Sequence, residues 1–385
     1  MADPRQLLTP VHLPRRERQP ACHERPLTSE AHVSIVVVLG FVGLLFLGSR
    51  VLPGPVVQGA ESHAGGCPQY RLNGMKLFLL SVVMAGAAWI WAPHLLAYPA
   101  RNSGELLVAA NVFAFALATA LYVRGRCGSP PGRRSSPARA LVDYVRGVEL
   151  NPAWGGVDLK LFSYRPSLIA LFLFNVSYLA AQYLDGGSVS GRMALYQVLF
   201  FIYIANYFQF EGGMIYTWDI LAERFGWMLV WGDFVLVPFF YSLPGRTLVD
   251  VHEPLPLWAG ISCTLLFLTG FWLFRGANEQ KHRFKQDRGI TIWGRPAETV
   301  GGKLLVSGFW GLGRKLNYTG ELLVYTSWTV LCGTASLAPY LVLLFLAGLF
   351  VHRAHRDDKR CRAKYGAVWQ EYCRRARFRM VPFLY

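Results

Sequence analysis

Two charged pairs toward the C-terminal end of the chain have a spacing that suits binding of an anion. Lys281 and Lys285 are four residues apart, and so are Arg353 and Asp357. Residues at this spacing share one face of a helix. Separated Lys and Arg side chains suit phosphates, whereas Asp suits ribose hydroxyls. The pairs therefore indicate a site for a phosphorylated molecule.

Aromatic residues accompany these charges. Trp310 lies in a Gly-rich turn, and Asn317 and Tyr318 follow it. An aromatic stripe at i, i+4 and i+7 then predicts one helix face, formed by Tyr365, Trp369 and Tyr372. The stripe alone indicates ordinary packing, but with the charges it is typical of a nucleotide site. The order Gly308-x-x-Gly311-x-Gly313 is not the dinucleotide fingerprint, so we expect a helical, non-Rossmann site.

Composition places the chain in a membrane. Of its 385 residues, 53% are hydrophobic and only 16% are charged, whereas soluble domains carry about a quarter charged residues. Apolar runs of bilayer length recur, so we predict one all-α, polytopic helical bundle. The predicted spans are 33–52, 77–97, 105–124, 166–184, 191–210, 225–243, 255–275 and one or two between 320 and 352.

The net charge of +16 indicates cytoplasmic loops that meet anionic lipid, with part of it available to an anionic cofactor; we expect no nucleic-acid partner. Basic loops occupy 124–146 and 276–303, and residues 1–32 form a basic arm that we predict to be disordered. If both loops and both termini are cytoplasmic, three preceding spans conflict with the positive-inside rule. An early re-entrant segment or an exceptional loop would each resolve this.

The seven cysteines include no Cys-x-x-Cys pair, which favours reduced thiols over disulfides or zinc. His352 and His355 lie near Cys361 among basic residues, and we predict no metal site there.

Four carboxylates lie in or beside the predicted spans 191–210 and 225–243: Glu223, and the group of Glu211, Asp219 and Asp233. Ionisable groups at membrane depth are costly and normally face a cavity or a partner. We therefore treat these three as candidates for the substrate pocket, with a buried hydrogen-bonded helix contact as the alternative for Asp233.

Several segments together resemble the sterol reductase family, which includes delta-14, delta-7 and delta-24(28) reductases and the membrane domain of the lamin B receptor. The resemblance covers residue 147 to the C-terminus. It is carried by Lys303-Leu304-Leu305-Val306-Ser307-Gly308-Phe309-Trp310-Gly311, Arg314-x-x-Asn317-Tyr318-x-Gly320-Glu321-Leu322, Arg356-Asp357-Asp358-x-x-Cys361-x-x-Lys364-Tyr365-Gly366-x-x-Trp369-x-x-Tyr372, Glu149-Leu150-Asn151-Pro152, Thr217-Trp218-Asp219-Ile220 and Trp231-Gly232-Asp233.

The resemblance implies about ten transmembrane helices in residues 33–385, with NADPH bound by 276–385 on the cytosolic side and a sterol held on the lipid side. At Lys285 many members have Arg, so phosphate affinity is expected to be weaker. The implied NADPH contacts are Lys281, Lys285, Leu305, Trp310, Asn317, Tyr318, Asp357, Cys361, Lys364, Tyr365 and Tyr372.

The implied reaction is reduction of an isolated double bond, which must be protonated before or as it accepts hydride. Tyr203 matches a tyrosine proposed as the proton donor in the family, and Arg353 and Asp357 would hold the cofactor side. A phenol with a pKa near 10 needs acidic help. Asp357, Glu211 or Asp233 could provide it through hydrogen bonds.

The stretch from Trp218-Asp219-Ile220 to Trp231-Gly232-Asp233 resembles the delta-14 and delta-7 branches alike. The chain is most similar to bacterial-type delta-14 enzymes through Ser163-Tyr164-Arg165-Pro166-Ser167-Leu168-Ile169 and the closing Pro382-Phe383-Leu384-Tyr385. A delta-7 reductase is the alternative. The resemblance implies the endoplasmic reticulum membrane in a eukaryote, or the inner membrane in a bacterium.

Two further functions remain open. An isoprenylcysteine-type methyltransferase shares the C-terminal pattern, but not the motifs in 147–233. A scaffold like the lamin B receptor could use the basic arm for acidic partners.

Overall fold

The structure is a computed structural model that describes residues 27–59, 68–128, 137–334, 336–382 and 384. Most of the predicted basic arm lies outside these residues. The α-helices are α1 Leu27–Val51, α2 Gly74–Trp91, α3 Pro93–Leu96, α4 Tyr98–Arg101, α5 Ser103–Cys127, α6 Pro137–Arg146, α7 Leu159–Gly186, α8 Gly191–Gln209, α9 Glu211–Met214, α10 Trp218–Leu221, α11 Trp227–Trp231, α12 Leu243–Leu248, α13 Leu257–Gln286, α14 Phe309–Leu312, α15 Leu316–Leu331, α16 Ala338–Tyr365 and α17 Ala367–Arg375. A π-helix spans Gly232–Phe240.

The strands are short and form four antiparallel two-stranded ribbons in the connections. They are β1 Val56–Gln58 with β2 Gln69–Arg71, β3 Ala153–Trp154 with β4 Val157–Asp158, β5 Thr291–Ile292 with β6 Arg295–Pro296, and β7 Thr299–Val300 with β8 Leu304–Leu305.

Seven helical segments of the described chain are long and apolar enough to cross a membrane, which confirms the polytopic helical fold. They are His32–Val51, α2, α5, α7, Trp227–Leu248, α13 and α16. Two shorter helices, α8 with 19 residues and α15 with 16, correspond to the other predicted spans. Two helices continue well past their predicted ends: α13 reaches Gln286 beyond 275, and α16 reaches Tyr365 beyond 352.

One end of the bundle gathers the basic loops, and we call it the basic end. Here α1, α5, α8, α13 and α16 finish, and α2, α7, α11 and α15 begin. Side chains join these termini: Arg165 donates to Ser49 at 2.9 Å, and Arg356 donates to Glu223 at 2.6 Å. Because α1, α2 and α5 alternate in direction, the described start of α1 lies at the opposite end. Both basic loops therefore share one side without a re-entrant segment.

The segment Trp227–Leu248 is not a regular α-helix. Its centre is the π-helix, which contains Asp233 and Pro238. Proline has no backbone N–H to donate, and π-helical turns are often found at functional sites. The widened turn carries Asp233 into the protein interior, where it is buried.

The helices α13 and α15 touch backbone to backbone. A Cβ built on Gly320 would lie 2.4 Å from the Phe274 nitrogen, and one on Gly270 would lie 2.6 Å from the Gly320 oxygen. Small residues permit this approach between membrane helices. The contact fixes the spacing of the two helices that carry most of the candidate site.

The predicted aromatic stripe is not on one helix. The chain breaks at Gly366, which has φ 53°, a backbone conformation that favours glycine. Tyr365 therefore ends α16, whereas Trp369 and Tyr372 lie on α17. The aromatic residues still pack together, around Val300 and Val306.

Candidate functional site

A basic and aromatic surface lies at the last turns of α13. The Lys281 Nζ is 4.4 Å from the centroid of the Trp310 ring, a distance at which a cation is attracted to an aromatic face. The indole is buried, and its Nε1 donates to the Ala277 carbonyl at 2.8 Å. Lys285 is exposed one turn further along. Neither lysine has an ion-pair partner among the described residues.

Lys315, just before α15, forms an ion pair with Asp357 of α16. Burial opposes the charge of Lys315, but the Asp357 carboxylate outweighs it and raises the pKa of this lysine. Lys281 lies close enough to Lys315 and Asp357 to interact electrostatically with both. The structure thus brings the predicted stretches around 281, 317 and 357 together.

Asn317 is held at its amide nitrogen and left open at its oxygen. Its Nδ2 donates to the Asn278 Oδ1 at 3.2 Å, across the α13–α15 contact. Its Oδ1 is buried and has no hydrogen-bond partner. A buried acceptor without a donor is costly, so this oxygen indicates a place for a donor from a bound molecule.

The remaining predicted cofactor contacts form two packed groups. Leu305 is buried with Trp310 and Phe309, while Tyr318 stacks on Phe350 with ring centroids 4.8 Å apart.

Cys361, Tyr365 and Tyr372 belong to the cluster at the junction of α16 and α17. The Lys364 Nζ is 5.3 Å from the Tyr365 ring centroid. Burial raises the pKa of the Tyr372 hydroxyl. This second group adjoins the lysine surface at Cys361. The Cys361 thiol interacts electrostatically with Lys281, Lys315 and Asp357.

Arg353 points away from the lysines toward α10. One of its nitrogens, Nη2, lies 2.7 Å from each carboxylate oxygen of Asp219. The same carboxylate accepts from the Tyr164 hydroxyl at 3.4 Å. Arg353 also interacts electrostatically with Tyr318. It therefore lies between the cofactor-side residues and α10, one turn before Asp357.

The structure gives Tyr203 an acidic partner that the sequence analysis did not name. The buried Tyr203 hydroxyl donates to Glu321 Oε1 at 2.9 Å. The Tyr207 hydroxyl donates to the same oxygen at 3.1 Å, and the two hydroxyls are 3.1 Å apart. We call Tyr203, Tyr207 and Glu321 the phenol–carboxyl triad. The expected helpers Asp357, Glu211 and Asp233 make no hydrogen bond to Tyr203.

Glu211 and Asp233 have other partners, which explains this difference. Glu211 accepts from Arg165 Nε at 2.7 Å and from the Gly74 backbone at 2.9 Å. Asp233 accepts from the Ser163 hydroxyl at 2.7 Å. The hydrogen bond and burial of Asp233 are consistent with the helix-contact alternative, and its role in a substrate pocket stays a prediction. Of the three carboxylates, Asp219 has the most direct contact with another predicted site residue, Arg353.

Sequence reasoning missed Glu321, Tyr207 and Lys315. Signals for Tyr207 and Glu321 were present. Tyr203 and Tyr207 are four residues apart, as are Asn317 and Glu321, so each pair shares a helix face. What the sequence did not reveal is that the face of α8 meets that of α15.

Chemically, the site combines a basic surface with a buried cluster of two phenols and a carboxyl group. The lysines and the open Asn317 acceptor suit a phosphorylated molecule bearing an amide or hydroxyl donor. The triad holds exchangeable protons at a depth where apolar rings surround it, including Tyr325 and Trp328, whose centroids are 5.8 and 5.1 Å from that of Tyr203.

Comparison with known proteins identifies the family of the chain. The model of the ergosterol biosynthesis ERG4/ERG24 family matches residues 15–385. A Delta(14)-sterol reductase of Arabidopsis thaliana is 38% identical over 358 residues, covering 91% of this chain and 96% of that protein. One of Methylotuvimicrobium alcaliphilum is 39% identical over 357 residues, covering 90% and 83%. The 7-dehydrocholesterol reductase of Xenopus laevis is 33% identical over 353 residues, covering 86% and 74%. The chain belongs to the ERG4/ERG24 family of sterol reductases.

Proposed function

We propose that this chain reduces the 14,15 double bond of a sterol, with NADPH as hydride donor and a proton supplied by Tyr203. One observation carries the proposal: α16 connects two chemically different surfaces. Asp357 adjoins the lysine and indole surface, and Arg353, one turn earlier, pairs with Asp219 of α10. Arg353 also lies close enough to Glu321 to act on its charge. A water-soluble cofactor and a lipid substrate would meet along this helix.

The residues present fit NADPH. Lys281 and Lys285 are cations without acidic partners among the described residues, as phosphate binding requires. The buried Asn317 Oδ1 needs a donor, and the amide and hydroxyl groups of the cofactor are donors. Lys281, Lys285 and Lys364 would hold phosphates, while Trp310, Tyr318 and Tyr365 offer ring surfaces. NADPH supplies the hydride when bound.

The chain itself supplies the acid. Tyr203 is buried among aromatic residues, which can tolerate positive charge that develops on the sterol ring system. Its hydroxyl is oriented by Glu321, so protonation would occur from a fixed direction. Arg353 and Asp357 keep α16 in register with α10 and with Lys315, and so position the cofactor side against the triad.

The choice of the 14,15 bond rests on the two Delta(14)-sterol reductases that resemble nine-tenths of the chain. A delta-7 reductase is the second candidate, because 7-dehydrocholesterol reductases are similar at 33% identity. The family model also matches residues 147–233. Methyltransferases of the alternative type do not share the motifs of this segment. The scaffold alternative leaves the open Asn317 acceptor unexplained.

To test this function, purified protein in lipid nanodiscs is incubated with delta-7, delta-14 or delta-24(28) sterols, each with NADPH or NADH. Mass spectrometry reads the product and the site of deuterium from labelled NADPH. We expect reduction of the delta-14 sterol with NADPH. Reduction of only the delta-7 sterol would select the second candidate, and no reduction of any sterol would reject the function.

A further inference from the structure

We propose that Tyr207 and Glu321 form a proton-return route, which recharges Tyr203 from a polar cavity at the start of α7. The route serves the proposed function and rests on it, since Tyr203 is the donor there. Tyr207 and Glu321 would act through Tyr203, so they are positioning residues for the reaction.

The need for such a route follows from the reaction. When Tyr203 protonates the alkene, its O–H bond breaks and a C–H bond forms on one sterol carbon. The hydride of the proposed function forms the second C–H bond on the neighbouring carbon. The Tyr203 oxygen then carries a negative charge and lacks one proton. Each turnover therefore consumes one proton from water, and that proton must reach a buried oxygen.

Glu321 is the nearest proton store, with its Oε1 2.9 Å from the Tyr203 oxygen. A carboxylic acid has an ordinary pKa of about 4.3, against about 10 for a phenol. A proton on Glu321 would therefore pass readily to a Tyr203 phenolate. Because a phenol is a weaker acid than a carboxyl group, Tyr207, whose oxygen is 3.1 Å from the same Oε1, can restore that proton only in a relay, as it takes a proton from water in the same step.

Tyr207 connects the triad with space that reaches the basic end. A cavity of about 10 Å³ is bordered by Tyr207, Tyr164, Arg165 and Glu211. A space of roughly 10–15 Å³ holds one water molecule when polar groups surround it. Tyr207 therefore borders a space about the size of one water molecule, which lies between the triad and the start of α7.

A second cavity continues this path outward. It measures about 200 Å³ and lies between the end of α1, β2 and the first turns of α7. Leu161 and Arg165 border both cavities. The exposed Arg50 and Arg71 lie on the rim of the larger one. Leu161 and Arg165 are therefore the walls between the larger cavity, whose rim is exposed at the basic end, and the smaller cavity beside Tyr207.

The balance is complete along this path. A proton enters from water, the Tyr207 hydroxyl gives its proton to Glu321, and Glu321 gives one to Tyr203. The charged and titratable groups that face Glu321, and that would shape its pH response, are Tyr203, Tyr207, Tyr241, Tyr325 and Arg353.

The test separates proton supply from simple hydrogen bonding, because Glu321→Gln keeps an acceptor oxygen and loses the exchangeable proton. The matched control is Tyr196→Phe. Tyr196 lies on α8, as Tyr203 and Tyr207 do, and the change removes its buried 2.7 Å hydrogen bond to Asn175 of α7. We expect Glu321→Gln to lower kcat about 100-fold and Tyr207→Phe about 10-fold, within the range for general acid catalysis. The KM for sterol should change by less than about twofold, and the control should keep its kcat.

Two readouts would not respond to a structural role. The solvent deuterium isotope effect on kcat should rise in Glu321→Gln, and the loss of wild-type kcat with increasing pH should disappear. A wild-type kcat and isotope effect in Glu321→Gln, beside an inactive Tyr203→Phe, would overturn the route and leave the proposed function standing. Full activity in Tyr203→Phe would overturn the route together with the assignment of Tyr203 as proton donor, while sterol reduction itself would stand.

An infrared measurement tests the shared carboxyl without turnover. The difference spectrum between wild type and Glu321→Gln identifies the Glu321 carboxyl band. Tyr203→Phe and Tyr207→Phe should each shift that band, whereas Tyr196→Phe should not. A band that moves in neither triad variant would contradict the geometry on which the route depends.

Discussion

Arg353 and Asp219 join α16 to α10 through a single guanidinium nitrogen that lies 2.7 Å from both carboxylate oxygens. The helix α10 has only four residues, too few to be stable alone. Its place depends on α16, which also contributes Arg356 to Glu223 and the Arg360 guanidinium 3.6 Å from the Trp218 ring centroid. Arg353 thus positions a wall of the site as well as the cofactor side.

A double-mutant cycle should reveal this coupling. Arg353→Gln and Asp219→Asn should each lower the melting temperature of the detergent-solubilised protein and reduce kcat. The double variant should lose less than the sum, with a coupling of about 0.5–3 kcal/mol, as is usual for residues in contact. Additive losses would mean that the pair is not formed. Arg101 and Asp185, an exposed pair, provide the control cycle.

Tyr203→Phe should fold, bind NADPH and fail to reduce sterol. The change removes one hydroxyl and leaves the ring contacts, so we expect the melting temperature to fall by only a few degrees. Loss of a general acid should lower kcat about 10²–10⁴-fold. Protection of the variant by NADPH in a thermal-shift assay would show that the cofactor side is intact. A kcat near wild type would reject Tyr203 as the donor.

Lys285→Arg should strengthen cofactor binding. The guanidinium can contact a phosphate through two nitrogens, whereas an ammonium acts as a point charge. We expect the KM for NADPH to fall several-fold with kcat nearly unchanged, and Lys285→Gln to raise it about tenfold. Lys303→Arg, an exposed change outside the site, should have no effect. Equal KM values in all variants would place the phosphates elsewhere.

Gly320→Ala should destabilise the protein strongly. Its Cβ would meet the Phe274 nitrogen at 2.4 Å and the Gly270 oxygen at 2.5 Å, and backbone atoms cannot move aside as a side chain can. Overpacking of this kind costs about 1–3 kcal/mol or more. Gly348→Ala on α16 is the control, because its Cβ would meet no atom within 4 Å. Similar melting temperatures for the two variants would contradict the close helix contact.

The ion pair of Lys315 and Asp357 should be insensitive to moderate alkali. A lysine whose folded pKa is raised contributes stability below its unfolded pKa of about 10.4, and loses it as the pH rises through the folded value. Because Asp357 raises the pKa of Lys315, the difference in melting temperature between wild type and Lys315→Gln should stay constant from pH 7 to pH 9. A difference that shrinks within this window would show that the lysine is not paired.

Much of the fold and part of the site followed from the sequence alone. Apolar runs predict the spans because backbone groups in lipid must be satisfied within helices. The grouping of Lys281, Trp310, Asn317 and Asp357 followed from motif resemblance. Glu321 did not, because its partner lies 118 residues away along the chain, and periodicity reports the face of a helix but not its neighbour. The π-helix around Asp233 likewise depends on packing that no local pattern encodes.

Because Gly270 and Gly320 have no side chains, α13 and α15 are in main-chain contact, and this contact has a consequence for the proposed reaction. Lys281 and Asn278 lie on one of the two helices they join, and Glu321 lies on the other, directly after Gly320. The distance between the source of electrons and the source of protons is therefore set by main-chain atoms in contact. In the proposed reaction, thermal motion of surface loops would leave that distance unchanged while sterols enter and leave from the bilayer.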